Sequence, residues 1–97
     1  MRQRTILTEE AQAIAMAGLA MLADQPERMA RFLAVSGVEP AQIRGLAETA
    51  DFQAAILAHI RSDESLLLVF VAQLGIEPIR VSEAEASLGG KPAQTSS

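Results

Sequence analysis

Asp63-Glu64-Ser65-Leu66-Leu67-Leu68-Val69-Phe70-Val71-Ala72-Gln73-Leu74-Gly75 is the stretch whose reading decides the fold. Its seven consecutive apolar residues, Leu66 to Ala72, leave no polar face at helical or strand spacing. A segment apolar all round asks to be covered on all sides, which marks it as the expected centre of the fold. Asp63 suits a helix N-cap and Gly75 a helix stop. A lone buried strand would find no partner in this chain, so the segment reads as a helix over about 63–75.

Outward from it, the remaining chain repeats the same punctuation. Thr8 reads as the cap of a first helix to about Ala23, with Glu9 and Glu10 in the first turn where the helix dipole favours acids. Leu7, Ala11, Ile14, Gly18 and Met21 follow a 4-3-4-3 spacing and form its inward stripe, and the small residues Ala11, Ala15 and Gly18 allow a close neighbour. Asp24-Gln25-Pro26-Glu27 restarts the chain, with Asp24 as expected cap and a second helix over Pro26–Ser36. Gly37 ends it. A third helix is expected over Pro40–Thr49 with Ile43, Leu46, Ala47 and Ala50 inward. A fourth follows, capped by Asp51 and running to Arg61, with Phe52, Ile56, Leu57 and Ile60 inward. Ile76 to Ile79 reads as a turn, and Ser82-Glu83-Ala84-Glu85 as the capping box of a short sixth helix to Leu88.

The fold class this predicts is all-α: one compact bundle of five or six short helices around a central apolar helix. Residues 1–88 form the single domain, with 1–7 a loose leader and 89–97 a disordered tail. Ninety-seven residues suit one domain. With no Trp or Tyr and only Phe32, Phe52 and Phe70 as aromatics, the core must be aliphatic, and an Ala- and Leu-rich chain favours helix.

Composition excludes more than it selects. No cysteine is present, which removes disulfides, thiolate nucleophiles and thiolate ligands and suits the cytoplasm. The net charge of -4 disfavours nonspecific contact with nucleic acid or anionic membrane. Arg2 and Arg4 ahead of the apolar Ala13–Ala23 stretch have the flavour of an export signal, but Glu9, Glu10 and Asp24 to Glu27 break it, and the stretch is too short to span a bilayer.

Candidate chemistry is sparse. His59 is the only histidine, and Asp63 one turn later is its one available carboxylate partner. Asp63 is equally explained as a cap, so His59 reads as structural. The pairs Glu9-Glu10 and Asp63-Glu64 point about 100° apart on a helix and do not converge. No catalytic residue, metal ligand, cofactor-binding residue or cofactor is assigned, and the chain does not read as an enzyme. Leu33 to Arg44 has the layout of a helix-turn-helix, making residues 26–50 the alternative, nucleic-acid-associated reading. Its second helix offers only Gln42 and Arg44, and Gly37 to Ala50 holds one arginine against two glutamates, the wrong sign for phosphate contact.

Taken together, Leu7-Thr8-Glu9-Glu10, Ser36-Gly37-Val38-Glu39-Pro40, Ile43-Arg44 and Asp63 to Phe70 resemble a family of small uncharacterised domains found mainly in alphaproteobacteria. The resemblance covers about residues 7 to 88 and implies a compact all-α domain. It brings no activity and no site residues. The role expected is a noncatalytic interaction or accessory protein. Met16, Met21 and Met29 have the adaptable character of a binding groove, but two lie within the wide apolar surface of the first helix and read first as core filling. That helix is apolar on a second side through Met16, Ala20 and Ala23, so a protein partner or a homodimer through it is expected.

Overall fold

The computed structural model describes residues 8–89. They form six α-helices: α1 (Thr8–Ala23), α2 (Pro26–Ser36), α3 (Ile43–Leu46), α4 (Ala50–Arg61), α5 (Glu64–Leu74) and α6 (Pro78–Ser87), with a single 3₁₀ turn, Pro40–Gln42, leading into α3. The all-α bundle is as expected. Leu7 and the segments 1–7 and 90–97 lie outside the described residues.

α1 buries Ala11, Ile14, Ala15, Gly18, Met21 and Leu22, the described part of the predicted stripe widened by Ala15 and Leu22. Thr8, the first described residue, is already helical and not a cap. Gly18 lies against α4 and α5: a Cβ there would stand 2.8 Å from Ile60 Cδ1, 3.1 Å from Ile56 Cγ2 and 3.6 Å from Phe70 Cζ. The missing side chain is therefore what lets three helices meet at one point.

Three further caps differ from expectation, each for a local reason. α2 starts from Gln25, whose side chain makes no capping bond, while the Asp24 N–H donates back to the Ala20 and Met21 carbonyls at 3.0 and 3.2 Å. Asp24 thus closes α1, and Pro26, with φ preset at N1, is enough to open α2. Thr49, and not Asp51, caps α4: its Oγ1 accepts from the Phe52 N–H at 3.2 Å and donates to the Leu46 carbonyl at 2.8 Å. That one hydroxyl both stops α3 and starts α4. The expected ten-residue third helix shrinks to a 3₁₀ turn and four residues, with Gly45 inside it as a further weak former. The turn is held by a capping box in which the Glu39 N–H donates to Gln42 Oε1 at 2.9 Å. Finally, Ser82 does not start α6. Pro78 does, four residues earlier, and Ser82 sits inside the helix.

The expected central place of the 63–75 helix is also corrected. Asp63 caps α5 as read, with Oδ1 accepting from the Leu66 N–H at 3.1 Å, and Gly75 stops it at φ 69°. Yet only Phe70 and Val71 of this helix are buried, while Leu68 and Val69 are 53% and 38% exposed. The helix in the centre is α4, which packs against α1, α2, α5 and α6 and buries Phe52, Gln53, Ala54, Ile56, Leu57 and Ile60. α5 has only α4 and α6 as substantial neighbours. Two helices on one side cannot enclose a third.

α6 is a full member of the core. It packs on α1 and α4 through Val81, Ala84 and Leu88. Arg80 fixes its entry, with one guanidinium nitrogen 2.7 Å from Glu10 on α1 and another 2.7 Å from Glu83 one turn on. Arg61 and Glu85 pair across α4 and α6. Such exposed pairs set register more than they add stability.

Candidate functional site

α2, the C-terminal end of α4 and the start of α5 enclose a cleft of about 410 Å³ that includes Arg28, Arg31, His59, Asp63, Ser65 and Val69. The size falls within the usual range for a binding site. His59 stands in it half-buried, its ring edge-on to Phe32 with centroids 5.1 Å apart, and Phe32 in turn meets Phe52 at 5.8 Å. The imidazole pKa is held below its ordinary value of 6.5, first by burial and then by the charge of Arg31, with Asp63 pulling the other way.

The expected His59–Asp63 neighbours do share the cleft, but Asp63 Oδ1 is engaged on the α5 backbone. Among the described residues no hydrogen bond links His59, Asp63 and Ser65, so the cleft lacks the relay that activates a hydroxyl for nucleophilic work. Nor does any group of three His, Asp or Glu side chains converge there or elsewhere among the described residues.

A pH consequence follows for His59. Its folded pKa lies below the unfolded value, so the unfolded chain takes up the proton first as pH falls, and protonation favours unfolding. The contribution is neutral above about pH 7 and destabilising as pH drops through about 6.5 and below. We expect the His59 ring signals to titrate below 6.5 in an NMR pH series. We also expect wild type to lose more stability than His59→Gln between about pH 7.5 and 5. A midpoint at or above 6.5 would contradict the buried, Arg31-facing environment described above.

The helix-turn-helix residues are placed otherwise than a DNA reader requires. Gly37 does make the turn, at φ 76°. The helix after it, α3, is a single turn, and Arg44 is exposed on it. A recognition helix works by laying several side chains along the major groove. The cations are also divided: Arg28 and Arg31 line the His59 cleft, whereas Arg44 lines a separate groove beside α1. Of the paired acids, Glu10 is committed to Arg80 and Asp63 to its cap. Met21 is buried, Met29 half-buried, and Met16 is 38% exposed on the outer side of α1.

The feature sequence reasoning missed is the outer face of α5. Ser65, Leu68, Val69 and Ala72 are all exposed and recur at i, i+3, i+4 and i+7, one stripe along the helix. Val69 also lines the His59 cleft, so the apolar stripe runs into a polar rim of Arg28, Arg31 and His59. A helical wheel of residues 64–74 separates this stripe from Leu67, Phe70, Val71 and Leu74, but both halves are apolar. Nothing in hydrophobicity alone says which half is covered.

A family model described as "Protein of unknown function (DUF3572)" matches residues 8–91. No curated protein and no solved structure matches the chain.

Proposed function

The chain belongs to the DUF3572 family of unknown function, and from that premise we propose that it is a noncatalytic interaction domain that docks a protein partner on the outer face of α5. One observation carries this reading. Leu68 and Val69 are exposed on a helix with no charged residue between Glu64 and Leu74, beside a rim of Arg28, Arg31 and His59. An apolar centre edged by arginines and an aromatic-backed histidine is the usual anatomy of a protein interface. The matching occupant is an apolar segment flanked by charges of both signs, since Glu27 and Asp63 line the same rim as the two arginines. The expectation of a cytoplasmic protein belongs to the same proposal, supported by the cysteine-free composition. No single helix among the described residues is long and apolar enough to cross a membrane.

The outer side of α1, where a partner was expected from the sequence, is the weaker candidate for such a surface. Met16 is its one large exposed apolar side chain, with Ala13 and Ala20 also exposed.

The test is a Leu68→Lys, Val69→Lys double variant. Both positions are exposed, so thermal stability should change by less than about 0.5 kcal/mol per site. Crosslinking in native extract, followed by identification, should show a protein joined to wild type and absent with the variant. Persistence of every crosslinked partner with the folded variant would remove α5 as the docking face. Sedimentation of wild type over a concentration range checks for a second copy: a dimer abolished by the same double variant would replace the foreign partner with self-association.

A further inference from the structure

Between Leu22 and Phe52 the chain buries a single residue, Phe32. The 3₁₀ turn and α3 bury none, and Met29, Leu33, Val38, Ile43 and Leu46 reach the core only as half-buried side chains. α1 and α4, on either side of this stretch in the chain, bury six residues each. Polar fastening is as thin. The side-chain hydrogen bonds of Ser36 and Gln42 close within the stretch itself. Among the described residues no ion pair or side-chain hydrogen bond joins α2 to another helix.

The two ends are fastened better than the middle. The Asp24 N–H is tied back to α1, and extended backbone follows at Gln25, with φ -127° and ψ 117°. At the far end the buried Gln53 of α4 donates from Nε2 to the Ala47 carbonyl at 2.9 Å, and Thr49 Oγ1 donates to the Leu46 carbonyl at 2.8 Å. A stretch fixed at both ends and held between them by one buried ring opens at lower cost than the whole bundle unfolds. A few residues at element ends suffice as hinges. We propose that residues 26–46 form a lid, hinged at Gln25 and at Ala47, that swings off α1 and α4 as one unit while α1, α4, α5 and α6 stay packed.

Opening changes what the surface offers. The Phe32 ring stands 5.1 Å from that of His59 and 5.8 Å from that of Phe52, so its departure uncovers both. His59 and Val69 line one cleft, so the seat that Phe32 leaves runs onto the exposed stripe of α5. Arg28 and Arg31 travel with α2, which takes both cations off the rim. The closed form thus shows a narrow apolar stripe with a charged edge, and the open form a broader apolar face with an aromatic floor. The lid follows from the packing of α2 and α3 alone and does not depend on docking at α5.

Native-state hydrogen exchange of the full chain, read amide by amide in NMR and corrected for intrinsic rates, is the test. The hydrogen-bonded amides from Met29 to Gly37 should share one opening constant and exchange at least about tenfold faster than the slowest amides of α1, α4 and α6. Two variants separate lid opening from global unfolding. Phe32→Leu weakens contacts that opening breaks, so it should speed the Met29–Gly37 amides together by about tenfold. Val81→Ala weakens packing of α6 that the closed and open forms share. It should speed the slowest core amides by about tenfold and leave the α2 amides unchanged. The proposal is overturned if the wild-type α2 amides exchange at the rate of the core, or if Val81→Ala speeds them as much as the core. It is equally overturned if Phe32→Leu leaves them unmoved, since α2 would then fray residue by residue instead of opening.

Discussion

Phe70→Ala is expected to destabilise the protein by about 3 to 5 kcal/mol, the range for removing a buried phenyl ring. Phe70 has no exposed surface, and its ring tip is the atom of α5 that reaches Gly18. The rest of α5 is held by half-buried Leu66, Leu67 and Leu74 and by Val71. Losing the ring therefore removes the main anchor of the whole helix. Small domains are held together by roughly 5 to 15 kcal/mol, so the variant should be partly unfolded at 37 °C. Urea unfolding followed by circular dichroism measures the loss. A value under about 1 kcal/mol would mean that α5 is not fastened to the bundle through Phe70.

The second large effect is at Gly18. Gly18→Val should destabilise by about 3 kcal/mol, the upper end for overpacking a core. Its Cβ alone would lie 2.8 Å from Ile60 Cδ1, and the added methyls have nowhere to go between Ile56 and Phe70. Gly18→Ala is the instructive companion. Alanine gains about 0.5 to 1 kcal/mol of helix propensity over glycine, while the contact at Ile60 must still give way. Ile60 is fully buried, so its methyl cannot swing into solvent. We expect a net loss of about 1 kcal/mol for Gly18→Ala. Thermal melting of both variants decides it. A Gly18→Ala protein more stable than wild type would show that α1 and α4 separate easily, and would remove the reason for glycine at this position.

The sequence was most informative where one local signal had no competitor. Pro26 and Gly37 bound α2 as read, and the Asp63 and Gly75 limits of α5 came from a carboxylate and a left-handed glycine that act within one turn. It misled where two local signals competed. Asp51 and Thr49 both suit a cap, and the hydroxyl wins because it also closes Leu46 behind it. Ser82 heads a well-formed capping pattern, but Pro78 has already committed the chain to helix. Which helix lies at the centre was not legible at all. α4 is less hydrophobic than α5 and carries His59, Gln53 and Asp51, yet it has four packing neighbours. That is a property of topology, and no local pattern encodes it. The candidate sites share this limit. His59 and Asp63 are legible as a spacing, but the arginines that join them come from a helix 28 to 35 residues earlier.

The packing of α6 on α1 has a bearing on how the polypeptide leaves the ribosome. Fifty-four residues lie between Ala23 and Pro78. At synthesis rates of about 5 to 20 residues per second, α1 waits roughly 3 to 11 s for its longest-range partner. Until then the buried face of α1 lacks the cover that α6 provides. The nascent chain thus carries a sticky apolar segment until α6 has been made. A stalled or truncated product ending before Pro78 would present that segment to chaperones and proteases.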